Sequence, residues 1–177
     1  MTMIRTPRLC LPLLLAAALP AGAAQLSLEV EIPQLKVAEY HRPYVAIWIE
    51  REDASVAANL AVWYQQDQPG GKGESGTKWL PDLRQWWRRS GRSLSLPVDG
   101  VTGATRPAGT QTLSFDGAAA PLNSLAPGSY RVVVEAVREV GGRELLKLPL
   151  SWPPAAAQEE RAQGESELGA IRLSASP

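Results

Sequence analysis

The chain has 177 residues, with 18 Lys and Arg balanced by 18 Asp and Glu, one cysteine, one histidine and six tryptophans. This length suits one domain whose core is large enough to stand without disulfides. The even charge balance, without a strongly basic face, argues against nucleic acid as a partner, and a lone histidine, His41, argues against a histidine-based metal site or catalytic triad.

At the N-terminus, Arg5 and Arg8 precede an apolar run from Leu9 to Leu19, and Ala21-Gly22-Ala23 supplies small residues suited to signal-peptidase cleavage. Residues 1–24 therefore read as a cleaved signal peptide, and the mature protein is expected to be periplasmic, starting near Gln25. The apolar run is short for a membrane span, so no membrane-integral segment is expected after cleavage. Cleavage would also remove Cys10, the only cysteine, and with it disulfide and thiolate chemistry. Loss of Arg5 and Arg8 leaves 16 basic against 18 acidic residues, a net charge of −2.

Period-two patterns dominate the chain from Gln25 onward. Leu26, Leu28, Val30 and Ile32 alternate with polar residues and predict a half-buried first strand. Residues Tyr44 to Glu50 predict a second, with Val45, Ile47 and Ile49 on one face and Ala46 and Trp48 on the other, and His41 capping or covering a strand end. A third strand is expected from about Asn59 to Gln65, joined to the second by a hairpin at Glu52-Asp53. Gln66 to Thr77 is rich in glycine and charge and predicts an exposed loop. The period then changes. Leu80, Leu83, Trp86 and Trp87 fall at helical spacing, with Pro81 near the first turn, Arg88 and Arg89 in the last and Gly91 beyond it, which predicts a short helix. The two arginines suit the negative end of that helix.

Beyond a turn-rich stretch from Pro97 to Gly109, residues Thr110 to Phe115 alternate again. Pro127-Gly128-Ser129-Tyr130 then leads into a strand through Ala136, and Gly141-Gly142 marks the turn to a partner strand over Leu145 to Leu150. The segment 153–167 is rich in alanine, glutamate and proline and is expected to be a mobile loop, with Leu168 to Leu173 returning as a last edge strand. Short strands separated by turns predict an all-β fold: an immunoglobulin-like antiparallel β-sandwich over residues 25–177 with one short helical insertion.

One stretch carries specific chemistry. Asp99-Gly100-Val101-Thr102-Gly103-Ala104-Thr105 resembles, at every specified position, the Asp-x-x-(Ser/Thr)-Gly-Ala-Thr acceptor motif of proteins that hold FMN covalently through a threonine. The resemblance implies that an ApbE-type flavin transferase, using FAD and a divalent metal, places FMN on Thr105 as a phosphoester. The residue types suit such a transfer. Gly103 and Ala104 put almost no side chain beside the acceptor, so another protein's active site can approach, and Asp99 and Thr102 offer oxygens that orient the segment. Arg106 stands next to the anchor, where it can pair with phosphate charge. The alternative is an ordinary turn-rich connection, since Asp-Gly, Thr-Gly and Pro-Ala-Gly are all common loop chemistry.

Together the export signal, the Trp-Leu-Pro-Asp-Leu-Arg-Gln-Trp-Trp segment at 79–87, the motif and the Pro-Gly-x-Tyr hairpin resemble the periplasmic domain of unknown function family 2271. That resemblance implies a covalent flavoprotein relaying electrons between a PepSY-type membrane reductase and an extracytoplasmic acceptor. A flavin ring would need an aromatic neighbour. Trp79, Trp86 and Trp87 precede the motif, so one of them is expected to face it unless all three fill the core. The competing reading is an unmodified immunoglobulin-like binding module, because the fold decides no function by itself. A hydrolase finds no support, as His41 alone cannot complete a triad.

Overall fold

The structure is a computed structural model that describes residues 23–66 and 75–177. The expected signal peptide up to residue 22, and residues 67–74 of the expected glycine-rich loop, lie outside the described residues.

Alternating apolar residues become strands because each strand has one face to bury. In β1 (Gln25–Ile32), Leu26, Leu28, Val30 and Ile32 are all buried. The remaining strands are β2 (Tyr44–Glu50), β3 (Val56–Tyr64), β4 (Thr102–Ala104), β5 (Gly109–Asp116), β6 (Gly128–Val137), β7 (Arg143–Trp152), β8 (Gln158–Gln163) and β9 (Ala170–Ser176). They form a four-stranded sheet, ordered β5-β1-β9-β8, and a five-stranded sheet, ordered β4-β3-β2-β6-β7. One apolar core joins Leu28, Val30 and Leu173 of the first sheet to Val45, Ile47, Val132 and Val134 of the second. The architecture is the all-β sandwich that the alternation predicts. One pairing departs from it: β4 runs parallel to β3.

Much of the five-stranded sheet, along β2, β3 and β6, is buried on both faces. Ala46, Trp48, Val62, Tyr64 and Val133 point away from the sandwich core and form a second apolar cluster with Leu80, Leu83 and Trp86. The covering layer is helical, but it is not one helix. Pro81 lies in a 3-10 segment, Gly76–Asp82, and a separate helix α1 follows over Arg84–Arg89. A further 3-10 turn, Gly91–Ser93, completes the layer. The break lies at Leu83, whose φ −72° and ψ 68° leave helical geometry.

Glu135 of β6, fully buried, fastens this layer to the sheet. Its two carboxylate oxygens accept hydrogen bonds from the amides of Gln85 (3.0 Å) and Trp86 (2.8 Å), and Arg143 of β7 pairs with it at 2.6 Å. Helix α1 has no capping side chain of its own, so the sheet supplies the acceptor that its first amides require. The indole of Trp86 donates to Asn59 Oδ1 at 2.9 Å, adding a second tie between layer and sheet. A second buried carboxylate, Glu50, is met by Lys147 at 2.6 Å and Arg131 at 3.1 Å.

The segment 153–167 is not the mobile loop that its composition suggests. It contains β8, which pairs with β9 along its whole length. Nor is β9 an edge strand, since it lies between β1 and β8. Carboxylates from elsewhere hold the link between these strands. Glu144 accepts from the amides of Glu165 (2.7 Å), Ser166 (3.1 Å) and Leu168 (2.8 Å). Glu31 accepts from Ala170 at 2.8 Å, and the buried Glu167 pairs with Arg138 at 2.9 Å. His41 sits before β2 between Glu39, at 2.9 Å, and Glu139, at 3.5 Å.

These carboxylates make stability depend on pH and on single side chains. Burial opposes ionisation of Glu144, but the amides of Glu165, Leu168 and Ser166 together outweigh it and hold the carboxyl below its ordinary value. A depressed pKa contributes stability that is present above the unfolded-state value and lost as pH falls through the folded-state value. Glu144→Gln therefore speeds amide hydrogen exchange at Glu165, Ser166 and Leu168 at neutral pH, and the difference from the parent shrinks as the pH drops below the ordinary glutamate range. Glu135→Ala, which strands Arg143 and two helical amides, lowers stability by about 2–3 kcal/mol in urea unfolding.

Candidate functional site

The motif residues occupy a tight turn, the short strand β4 and the loop after it. The Asp99 carboxylate is exposed and accepts from the Gly100 amide at 3.0 Å. Gly100 takes φ +70°, a conformation natural to glycine. The amides of Val101 and Thr102 both donate to the Val98 carbonyl, at 3.2 and 2.9 Å, and Thr102 Oγ1 accepts from the Val98 amide at 2.8 Å. The oxygens of Asp99 and Thr102 are thus both engaged with the segment's own backbone. This closes the turn and sets the direction in which β4 leaves it.

In β4, Thr102, Gly103 and Ala104 align with Val62, Trp63 and Tyr64 of β3. A Cβ on Gly103 would come within 3.3 Å of Trp63 Cδ1 and 3.6 Å of Arg106 Nη2, so glycine lets the indole and the guanidinium close over this point. Ala104 is exposed. The Thr105 amide donates to the Tyr64 carbonyl at 3.2 Å, and Gln66 Nε2 bridges the carbonyls of Tyr64 and Gly103 at 3.2 and 3.1 Å. The backbone leading into Thr105 is therefore tied down. The residue itself is half-buried, and among the described residues its hydroxyl makes no hydrogen bond. Gly109 pairs with Ile32, so residues 105–108 cross from the edge of one sheet to the edge of the other at one end of the sandwich.

Arg106 is exposed, with its guanidinium 5.3 Å from the ring centre of Trp63, a cation–π distance. Among the described residues it has no carboxylate partner. The aromatic ring against Gly103 and Arg106 is therefore that of Trp63, while Val101 of the motif packs on the apolar cluster that contains Trp86. Trp86 is fully buried, Trp87 is half-buried against it with ring centres 6.2 Å apart, and Trp79 is 46% exposed. Trp63 carries no local signal of this role. Only the parallel pairing of β3 with β4 brings it beside Gly103.

A family described as "Predicted periplasmic protein (DUF2271)" matches residues 25–170. The chain belongs to this family. The DUF2271 match runs from β1 to the first residue of β9, and so takes in both sheets, the helical layer and the whole motif. The family's periplasmic description agrees with the export signal read at residues 1–24. No curated protein and no solved structure matches this DUF2271 chain. Among the described residues, no helix is long and apolar enough to cross a membrane.

The contacts of Gly103 carry a test of this geometry. Gly103→Val forces the added bulk against Trp63 and costs about 1–3 kcal/mol by overpacking. The same change at exposed Ala104 stays within about 0.5 kcal/mol of the parent. Thermal unfolding of the two variants separates these outcomes.

Proposed function

We propose that this DUF2271 protein carries FMN covalently on Thr105 and relays electrons between a PepSY-type membrane reductase and an extracytoplasmic acceptor. The observation that carries the reading is the Asp99-x-x-Thr102-Gly103-Ala104-Thr105 motif, ending in a threonine whose backbone is pinned while its hydroxyl has no partner among the described residues. A nucleophile of this kind suits attachment by an ApbE-type flavin transferase: the Thr105 oxygen takes the FMN phosphorus of FAD, AMP departs and the hydroxyl proton is released.

The neighbouring residues fit a phosphoester at this place. Gly103 and Ala104 themselves add no bulky side chain next to Thr105. Arg106 is an exposed cation without a carboxylate partner among the described residues, one residue from the ester, and complements its remaining negative charge. Asp99 and Thr102 hold the turn that presents the segment to the transferase. Bound FMN supplies one- and two-electron transfer, and the protein's contribution is to hold and orient it.

Intact-mass measurement of protein exported from a host that contains the transferase tests the proposal directly. The expected product is heavier than the mature chain by FMN minus water, and Thr105→Val lacks the increment while keeping the parent's circular dichroism and melting temperature. Protein-bound flavin fluorescence persisting in a denaturing gel after Thr105→Val rules out this anchor. Asp99→Ala lowers the labelled fraction, and the fraction that is labelled keeps the parent's reduction potential. A shifted potential in fully labelled Asp99→Ala protein assigns Asp99 to the cofactor rather than to recognition.

A further inference from the structure

We propose that the helical layer, residues 76–93, is a docking surface for an acidic patch on a partner protein, with Trp79 as its apolar anchor. The inference rests on how charge is distributed and stands with or without the flavin.

Within the layer, Lys78, Arg84, Arg88, Arg89 and Arg92 face a single acidic residue, Asp82, and all six are exposed. Elsewhere among the described residues the balance is reversed, with 10 basic against 15 acidic. The cations of the two sheets are largely neutralised. Arg131 and Lys147 meet Glu50, Arg143 meets Glu135, Arg138 meets Glu167, and Arg161 and Arg172 meet Glu159. In contrast, Arg84, Arg88 and Arg92 make no ion pair among the described residues, and Arg89 donates to the Ala54 carbonyl and favours the ionised form of nearby Asp53 without a direct ion pair.

Helix electrostatics account for part of this cluster and leave the rest unexplained. Arg88 and Arg89 lie in the last turn of α1, where the carbonyl ends favour cations. Arg84 opens the same helix, at the end that disfavours a cation, and Arg92 lies beyond it. Such a cluster repels itself, and a complementary negative surface relieves that repulsion. A layer of one sign on a chain of the other also orients an approaching partner before contact.

The side chains still free on the layer select the occupant. Leu80, Leu83 and Trp86 are spent on the protein's own core, so no apolar face remains to enter a lipid bilayer. Exposed arginines and one exposed tryptophan, whose ring centre lies 5.0 Å from Lys78 Nζ, are the residue types that dominate protein–protein interfaces. The guanidinium fork is also suited to carboxylates. The layer shares its apolar cluster with Val101, inside the motif, so a partner seated on it is held beside the segment that leads to Thr105.

The test titrates the exported mature chain into fluorescein-labelled oligoglutamate, and into a labelled random copolymer of glutamate and tyrosine, at low salt, reading anisotropy. Arg84→Gln/Arg88→Gln weakens binding of both about fivefold, while Lys36→Gln/Arg42→Gln, which removes the same charge from exposed positions outside the layer, changes it less than about twofold. The copolymer binds the parent more tightly than oligoglutamate does, and Trp79→Ala removes that advantage. Equal losses in the two double variants overturn the docking surface, and an unchanged copolymer advantage in Trp79→Ala overturns the anchor. Binding to phosphatidylglycerol vesicles that depends on Arg84 and Arg88, with no binding to either polymer, overturns the partner class in favour of a membrane.

Discussion

The position of the motif depends on a buried carboxylate. Two parallel strands cannot be joined by a tight turn, because the chain must travel back along the sheet before the second can begin. Between β3 and β4 that return includes the helical layer, and Glu135 holds the layer to the sheet by accepting the amides of Gln85 and Trp86. Arg143 offsets the cost of burying that charge. With the layer fixed, Val101 comes to rest against its apolar cluster, β4 aligns with Val62 to Tyr64, and Thr105 is delivered to the end of the sandwich.

The same device recurs at the link between β8 and β9. Residues 164–170 bury little apolar surface of their own, Leu168 excepted, yet Glu31, Glu144 and Glu167 bind their amides or pair across them. A carboxylate that accepts several amides does for an irregular segment what a neighbouring strand does for a regular one, since its charge-assisted hydrogen bonds fix the positions of several backbone donors at once. These contacts hold the chain as it enters β9, the strand that lies between β1 and β8.

Charge is therefore used in two ways. Within the sheets, carboxylates and cations are matched, and the matched pairs fix segments of chain in place. On the helical layer the arginines are exposed and have no carboxylate partner among the described residues, beside an exposed tryptophan. That contrast separates residues that hold the fold from residues available to another molecule. Arg106 belongs with the second group, because the partner of its guanidinium is the ring of Trp63 rather than a carboxylate.

The sequence by itself determined most of the strands, from the alternation in β1 and β5 and the apolar run of β2 to the Gly141-Gly142 turn between β6 and β7. It also located the helical insertion through Leu80, Leu83 and Trp86, because these patterns are local and the hydrophobic effect acts on each residue according to its own chemistry. The motif was legible for the same reason, its residues being adjacent in the chain. Tertiary structure alone decided that β4 exists and runs parallel to β3, that Trp63 rather than Trp79 or Trp87 lies against Gly103, and that residues 158–163 form a strand. Trp63 for Gly103 and Glu144 for the amide of Leu168 are partners distant in sequence, whereas β8 pairs with the nearby β9 and was illegible because Gln158–Gln163 carries no apolar alternation. An amide or an indole shows no preference in sequence for a distant partner. That choice is made only when the sheets close and distant segments come into contact.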